Sequence, residues 1–311
     1  MTSVALLTRI VGNDSEARAR LAAAGIETAI DLAGYDRLMR QPDGLARWHD
    51  IAAGIHGLVV GLQPVDRALF EAAPGLRYVL RVGTGLDNID VEEAERRGVI
   101  IANLAGLNAD AVAEHAFALL LAAALRIVES DASMRKDEWT RFPGKQLGGR
   151  TLGLIGYGAI GSAMVPKARG FGMDVIVYRR SGSPGDMTDG VPCVSLDELL
   201  ERADFISVHV PLTAETRGLI GAAEIARMRD DVVLVNTARG EVVDEQALAA
   251  ALHSGKIRAA GVDVFEEEPP VGSPLLSAPN AILTPHNGGY SDVVMRRVAS
   301  AAADFMIEHL P

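Results

Sequence analysis

Short apolar runs alternate with segments of helical period along nearly the whole chain, the pattern of parallel α/β architecture. In the first part, strands are predicted at 4–7, 58–60, 78–82 and 99–102, with helices over 15–24, 66–72 and 91–97. The last of these opens with Asp90 and Glu93, a capping-box-like pair. A long apolar helix follows from about 110 to 129, and then a polar stretch, 131–150, whose Pro143, Gly144, Gly148 and Gly149 mark it as a connecting loop. A second series of strands is predicted at 151–155, 175–178, 205–208, 232–236, 259–264 and 281–284. With their intervening helices they make a doubly wound sheet. Ser195 with Glu198, and Asp244 with Gly255, supply start and stop signals for two of those helices. The final segment, 291–310, reads as one helix without a strand of its own, expected to pack back on the first domain.

Composition narrows the class. A chain of 311 residues with 49% apolar content suggests two domains at roughly 150 residues each. A formal charge of −11 lacks the basic face of a general nucleic-acid binder, so any cationic site must be local. The single cysteine, Cys193, excludes an intrachain disulfide and a CxxC motif, and fits a reducing cytoplasm. The start shows no basic region followed by a long apolar run, and the most apolar stretch, 111–125, is interrupted by Glu114 and His115. Neither a secretory signal nor a membrane span is expected. No HExxH, carboxylate cage or Cys cluster points to a metal, and none is expected.

The sharpest local signal is Gly156-Tyr157-Gly158-Ala159-Ile160-Gly161, a GxGxxG between a predicted strand and a predicted helix. By itself the motif is weak in a chain with 32 glycines, but this context is the one a dinucleotide-binding turn requires. Gly156 permits the tight turn, Gly158 lets the backbone approach a pyrophosphate, and Gly161 lets helix and strand pack closely, with Ala159 and Ile160 between them. An NAD enzyme usually carries an acid at the end of the next strand, whereas this strand ends in Arg179-Arg180-Ser181. Two arginines and a hydroxyl suit a 2′-phosphate, which predicts NADP in preference to NAD. The alternative is that both arginines are solvated and NAD is used.

Three further motifs each follow a predicted strand: Asn236-Thr237-Ala238-Arg239-Gly240, Asp263-Val264-Phe265-Glu266-Glu267-Glu268-Pro269, and Thr284-Pro285-His286-Asn287-Gly288-Gly289. Strand C-terminal ends line the ligand crevice of such a sheet. Reduction of a 2-oxoacid needs a cation for the carboxylate and carbonyl, a proton donor for the developing alkoxide, and a carboxylate to favour the charged form of that donor. Arg239, His286 and Glu268 supply these in turn. The other six histidines are read as surface or core residues. The Glu114-His115 pair is read as a buried interface pair.

The GxGxxG, the ADFISVHVPLTAETRGLI stretch, the NTARG, the DVFEEEPP and the TPHNGG together resemble the D-isomer-specific 2-hydroxyacid dehydrogenase family over essentially the whole chain. The resemblance implies a Rossmann dinucleotide-binding domain, 104–287, inserted into a smaller flavodoxin-like substrate domain, 1–103 with 288–311. It places the substrate-anchoring arginine at Arg239, the acid/base histidine at His286 and its supporting glutamate at Glu268, leaving Glu266 and Glu267 on the surface. It also implies a substrate loop at Gly83, Thr84 and Gly85, with Arg81 beside it. Asp263, Val210, Pro211, Thr237 and Ala238 are implied to lie along the cofactor, and a homodimer is implied with the 110–129 helix as its candidate interface. Glyoxylate or hydroxypyruvate reduction is the expected activity. A phosphoglycerate dehydrogenase-like enzyme is the alternative, although the chain ends at Pro311 without room for a regulatory domain. A dinucleotide-sensing corepressor-like interaction protein is the reading from outside the enzymes, and the complete acid/base set disfavours it.

Overall fold

The computed structural model describes residues 3–30, 41 and 43–310, which fall into two compact units, 1–108 with 290–311 and the inserted 109–289. In the first unit five parallel strands, β1 (Val4–Leu7), β2 (Glu27–Ile30), β3 (Gly57–Val60), β4 (Tyr78–Arg81) and β5 (Ile100–Asn103), lie in the order 2-1-3-4-5. The connecting helices are α1 (Arg9–Gly12), α2 (Ser15–Ala23), α3 (Gly44–Ala52), α4 (Arg67–Ala72) and α5 (Val91–Arg97). Trp48 of α3, Leu69 and Phe70 of α4 and Ala94 of α5 bury one sheet face against Leu6, Leu58, Val60 and Val79. Asp66 and Asp90 cap α4 and α5 by accepting the Leu69 and Glu93 amides at 2.9 and 3.0 Å, and Gly98 ends α5 at φ 71°.

The inserted unit opens with α6 (Ala109–Leu125) and α7 (Ile127–Met134). The single helix expected over 110–129 is broken: Arg126 adopts φ 56° and the two helices meet at 60°. The Arg126 guanidinium donates to Asn280 Oδ1 at 2.8 Å and its carbonyl accepts the Ser130 hydroxyl at 2.7 Å, so side-chain bonds hold a left-handed residue in place of a continuing turn. The connecting stretch therefore begins after Met134 and not at 131. No single helix among the described residues is long and apolar enough to cross a membrane.

Six parallel strands follow, β6 (Thr151–Ile155), β7 (Asp174–Tyr178), β10 (Phe205–Val208), β11 (Val232–Asn236), β12 (Ile257–Val262) and β13 (Ala281–Leu283), ordered 13-12-11-10-6-7. A two-stranded ribbon, β8 (Met187–Thr188) with β9 (Val191–Pro192), hangs beside β7. The chain leaves β6 toward β7 on one side and returns to β10 on the other, which opens a switch-point crevice above β6. Helices α8 (Ala159–Gly170), α9 (Leu196–Arg202), α10 (Ala222–Arg227) and α11 (Glu245–Ser254) complete the unit. Strand side chains alternate between two cores: Leu152, Leu154, Val233 and Val235 pack with α6 and α8, while Ile155, Ile206, Leu234 and Val262 pack with α9, α10 and α11. The chain then returns to the first unit as α12 (Asp292–His309). This helix packs on β3 so closely that a Cβ at Gly57 would lie 2.5 Å from Leu310 Cδ1 and 2.7 Å from Met306 Sδ. Both units are doubly wound parallel sheets, one with flavodoxin-like order and one a Rossmann domain.

Candidate active site

The glycine loop lies at the C-terminal end of β6 and leads into α8. Gly156 has φ 104°, and a Cβ there would meet the His209 carbonyl carbon and oxygen at 2.7 Å. One at Gly161 would meet the Gly156 oxygen at 2.4 Å. Both positions are thus closed by backbone. Gly158, between them, faces open space within 4 Å, and as N-cap it gives α8 no side-chain cap. The first-turn amides of a twelve-residue helix consequently point past a residue without a side chain, the geometry a pyrophosphate requires. Six buried side-chain polar atoms lack a partner among the described residues, and three of them follow strands that flank the switch point: Arg179 Nε after β7, His209 Nδ1 after β10 and Thr237 Oγ1 after β11. Burial lowers the His209 pKa to about 4, so its ring is neutral at pH 7. These residues fit a nicotinamide dinucleotide laid across the strand ends. The Arg179 stem folds over Gly182, and Arg180 and Ser181 are exposed on the same loop.

On the other side of the switch point, the turns after β11, β12 and β13 interlock. Asn236 shapes the first: its Nδ2 donates to the Arg239 carbonyl at 2.9 Å and its Oδ1 accepts the Ala238 amide at 3.0 Å. Arg239 Nη1 donates to the Ala238 carbonyl at 2.7 Å. A Cβ at Gly240 would lie 1.9 Å from the Phe265 carbonyl carbon and 2.2 Å from the Glu266 nitrogen, so backbone meets backbone there and the Arg239 turn abuts the turn that carries Glu268. Glu268 Oε1 accepts the Phe265 amide at 3.1 Å, and its two oxygens lie 3.0 and 2.9 Å from His286 Nδ1. With Nδ1 held by the carboxylate, Nε2 is the nitrogen left for a reacting group. The pair is about a quarter exposed, at 23% and 25% of side-chain surface, dry enough to strengthen its electrostatics and open enough to meet a substrate.

The family description "D-isomer specific 2-hydroxyacid dehydrogenase, NAD binding domain" matches residues 117–288. The chain belongs to the D-isomer-specific 2-hydroxyacid dehydrogenase family. It is 45% identical to a glyoxylate reductase of Korarchaeum cryptofilum over 78% of this chain and 76% of the relative. It is 44% identical to a D-3-phosphoglycerate dehydrogenase of Mycobacterium leprae over 79% of this chain, which spans 47% of that longer protein. An NADPH-dependent glyoxylate/hydroxypyruvate reductase from Sinorhizobium meliloti, solved with NADP and malonate, superposes with a TM-score of 0.79 at 30% identity, covering 98% of this chain and 92% of that one. The protein is accordingly an NAD(P)-dependent oxidoreductase acting on the CH–OH group of D-2-hydroxyacids.

Within this dehydrogenase, Glu268 and His286 are in direct contact, and the Arg239 turn abuts the Glu268 turn. Gly156, Gly158, Ala159, Ile160 and Gly161 form the loop and first turn expected of them, with half-buried Val210 beside Gly156 and Pro211 exposed after it. Asp263, expected along the cofactor, is 1% exposed and its carboxylate is occupied by the 284–288 segment. In the first unit Gly83, Thr84 and Gly85 follow β4; Gly83 has φ 130°, and the Thr84 carbonyl accepts Asn103 Nδ2 at 3.0 Å. Arg81 is buried beneath them, donating to Asn88 Oδ1 at 3.1 Å and to the Val82 carbonyl, so it braces that loop from below. Glu266 is more than surface: it exchanges backbone-to-carboxylate bonds with Glu245 at 2.7 and 3.3 Å. His115 is not paired with Glu114, which is exposed, but reaches Asp263 and Thr284. Asn236, Gly240, Thr284 and His115 were not assigned to the site by sequence reasoning. Asn236 and Gly240, inside the NTARG motif, and Thr284, inside the TPHNGG motif, carry a local signal, whereas His115 carries none. No group of three or more His, Cys, Asp or Glu among the described residues is arranged to hold a metal ion.

Proposed function

We propose that this dehydrogenase reduces a short 2-oxoacid, glyoxylate or hydroxypyruvate, with NADP(H). The observation that carries the chemistry is the His286–Glu268 pair packed against the Arg239 turn. The dinucleotide, when bound, supplies the hydride that the carbonyl carbon accepts. Arg239 pairs through its planar fork with the substrate carboxylate and polarises the carbonyl, and His286 gives the Nε2 proton to the oxygen as it becomes a hydroxyl. Glu268 holds the ring in the orientation that leaves Nε2 to react. Gly83, Thr84 and Gly85 are assigned to the substrate carboxylate through their amides, with 1–103 and 288–311 as the substrate domain and 104–287 as the dinucleotide domain.

The cofactor choice rests on Arg179, Arg180 and Ser181 standing where an acid would repel a 2′-phosphate, and on the unpartnered Arg179 Nε. The likeness to an NADPH-dependent reductase supports it. Resemblance to phosphoglycerate dehydrogenases favours 3-phosphoglycerate as the second substrate to try. A homodimer through α6, α7 and the following stretch is part of the proposal. There Ile127, Val128, Met134 and Trp139 expose 53, 48, 54 and 77% of their surface, and Phe117, Leu121 and Phe171 line an apolar groove of about 430 Å³.

The test is the initial rate at 340 nm with NADPH and, separately, NADH, against glyoxylate, hydroxypyruvate, pyruvate and bulkier 2-oxoacids, with 3-phosphoglycerate in the oxidative direction. Faster turnover of glyoxylate or hydroxypyruvate with NADPH is the expected result. Preference for NADH overturns the 2′-phosphate assignment, and turnover of 3-phosphoglycerate alone overturns the substrate.

A further inference from the structure

His286 has φ 53°, a left-handed conformation that side-chain-bearing residues hold only where their surroundings enforce it. The enforcement comes from Asp263. Its carbonyl accepts the His286 amide at 2.8 Å, its Oδ1 the Asn287 amide at 2.8 Å and its Oδ2 the Gly288 amide at 2.8 Å, so three consecutive amides converge on one residue. Asp263 is 1% exposed, and a carboxylate in that position persists as an anion only if donors surround it. Thr284 Oγ1 donates at 2.5 Å, and the basic side chain that reaches it is His115, with Nε2 3.2 Å from Oδ1 and 3.0 Å from Thr284 Oγ1. Burial pushes the Asp263 carboxyl up, but the bonds from His115, Thr284, Asn287 and Gly288 outweigh it and hold it below its ordinary range.

His115 lies on α6, whose Ala113, Ala116, Phe117 and Leu120 are buried in the core beneath the sheet. We propose that His115 is a positioning residue: by clamping Asp263 it fixes the 286–288 segment and so the placement of the acid/base histidine. The proposal rests on the assignment of His286 as the acid/base group. His286 is then held at two points, its ring by Glu268 and its main chain by Asp263, and α6 ties the second point to the core of the inserted unit. A leucine at 115 would fill similar space but leave the buried carboxylate one donor short. A glutamine would place an amide nitrogen near the position of Nε2 and restore that donor.

The experiment compares full-length His115→Leu, His115→Gln and Thr284→Val with the parent enzyme by steady-state kinetics and by hydrogen exchange of the Asn287 and Gly288 amides. In H115L, exchange is expected to quicken about tenfold and kcat to fall about tenfold, with KM for the 2-oxoacid within about threefold, because a shift well under an ångström at the proton donor acts on the rate. H115Q restores both readings, and T284V, which removes the other side-chain donor to the same carboxylate, reproduces the defect even if H115L does not fold. Unchanged exchange and kcat in H115L and T284V overturn the proposal, as does H115Q behaving like H115L. His286→Asn separates the two layers: lost turnover there with unchanged exchange in H115L overturns the positioning alone, whereas undiminished turnover overturns the acid/base assignment and the proposal with it.

Discussion

Replacing Gly240 by alanine tests whether the turns that carry the proposed catalytic residues depend on backbone contact. The new Cβ would lie 1.9 Å from the Phe265 carbonyl carbon and 2.2 Å from both the Phe265 oxygen and the Glu266 nitrogen, where real Cβ contacts stay beyond 3.0 Å. None of these is the tip of a flexible side chain, so the Arg239 turn and the 265–268 turn must separate by roughly 1 Å, the scale of misplacement that costs about a hundredfold in rate. Overpacking of this kind costs about 1–3 kcal/mol, or about 2–10 °C in Tm for a domain of this size. The assay is NADPH oxidation with the preferred 2-oxoacid beside thermal unfolding. Glu201→Ala, exposed on α9, serves as the neutral control. Should G240A keep kcat within about threefold and Tm within about 1 °C of the control, backbone contact would not be what aligns Arg239 with Glu268.

The glycine loop divides in the same way. Gly158→Val is expected to leave Tm unchanged while weakening NADPH binding at least about tenfold by fluorescence titration, whereas Gly161→Ala destabilises the fold through the 2.4 Å approach to the Gly156 oxygen; equal effects of the two in both assays would refute the division. Glu268→Gln keeps the shape beside His286 but removes the charge, and kcat is expected to fall about ten- to a hundredfold with dinucleotide affinity unchanged, as read in steady-state rates. The depressed Asp263 carboxyl contributes stability that is fully present above its unfolded value, about 3.9, and lost as pH falls through its lower folded value; urea melts of Asp263→Asn should therefore show a shallower acid limb than the parent, and parallel limbs would exclude the effect. Trp139→Glu, at a site 77% exposed on the chain alone, is expected to turn a sedimenting dimer into a monomer, and a monomeric parent would sink the dimer proposal.

What could be read along the chain was whatever carries its own local signature. β6, β10 and β11 are buried on both faces, so they read as continuous apolar runs, and the observed strands lie within two residues of their expected starts. β2 was missed because Glu27-Thr28-Ala29-Ile30 is short, half polar and paired with β1 at the sheet's margin, where nothing demands an apolar run. The break at Arg126 was equally hidden, since the bond that stabilises its left-handed backbone comes from Asn280, 154 residues away. The candidate active site divides along the same line. Arg239, Glu268 and His286 announce themselves because each follows a strand within its own motif, whereas His115 sits 148 positions from the aspartate it reaches, on a helix whose periodicity speaks only of core. Residues assigned to the chemistry at strand ends are marked by their neighbours in sequence. Those that hold them in place are chosen by neighbours in space, and for that reason the tether from α6 to His286 becomes visible only when the sheet is folded.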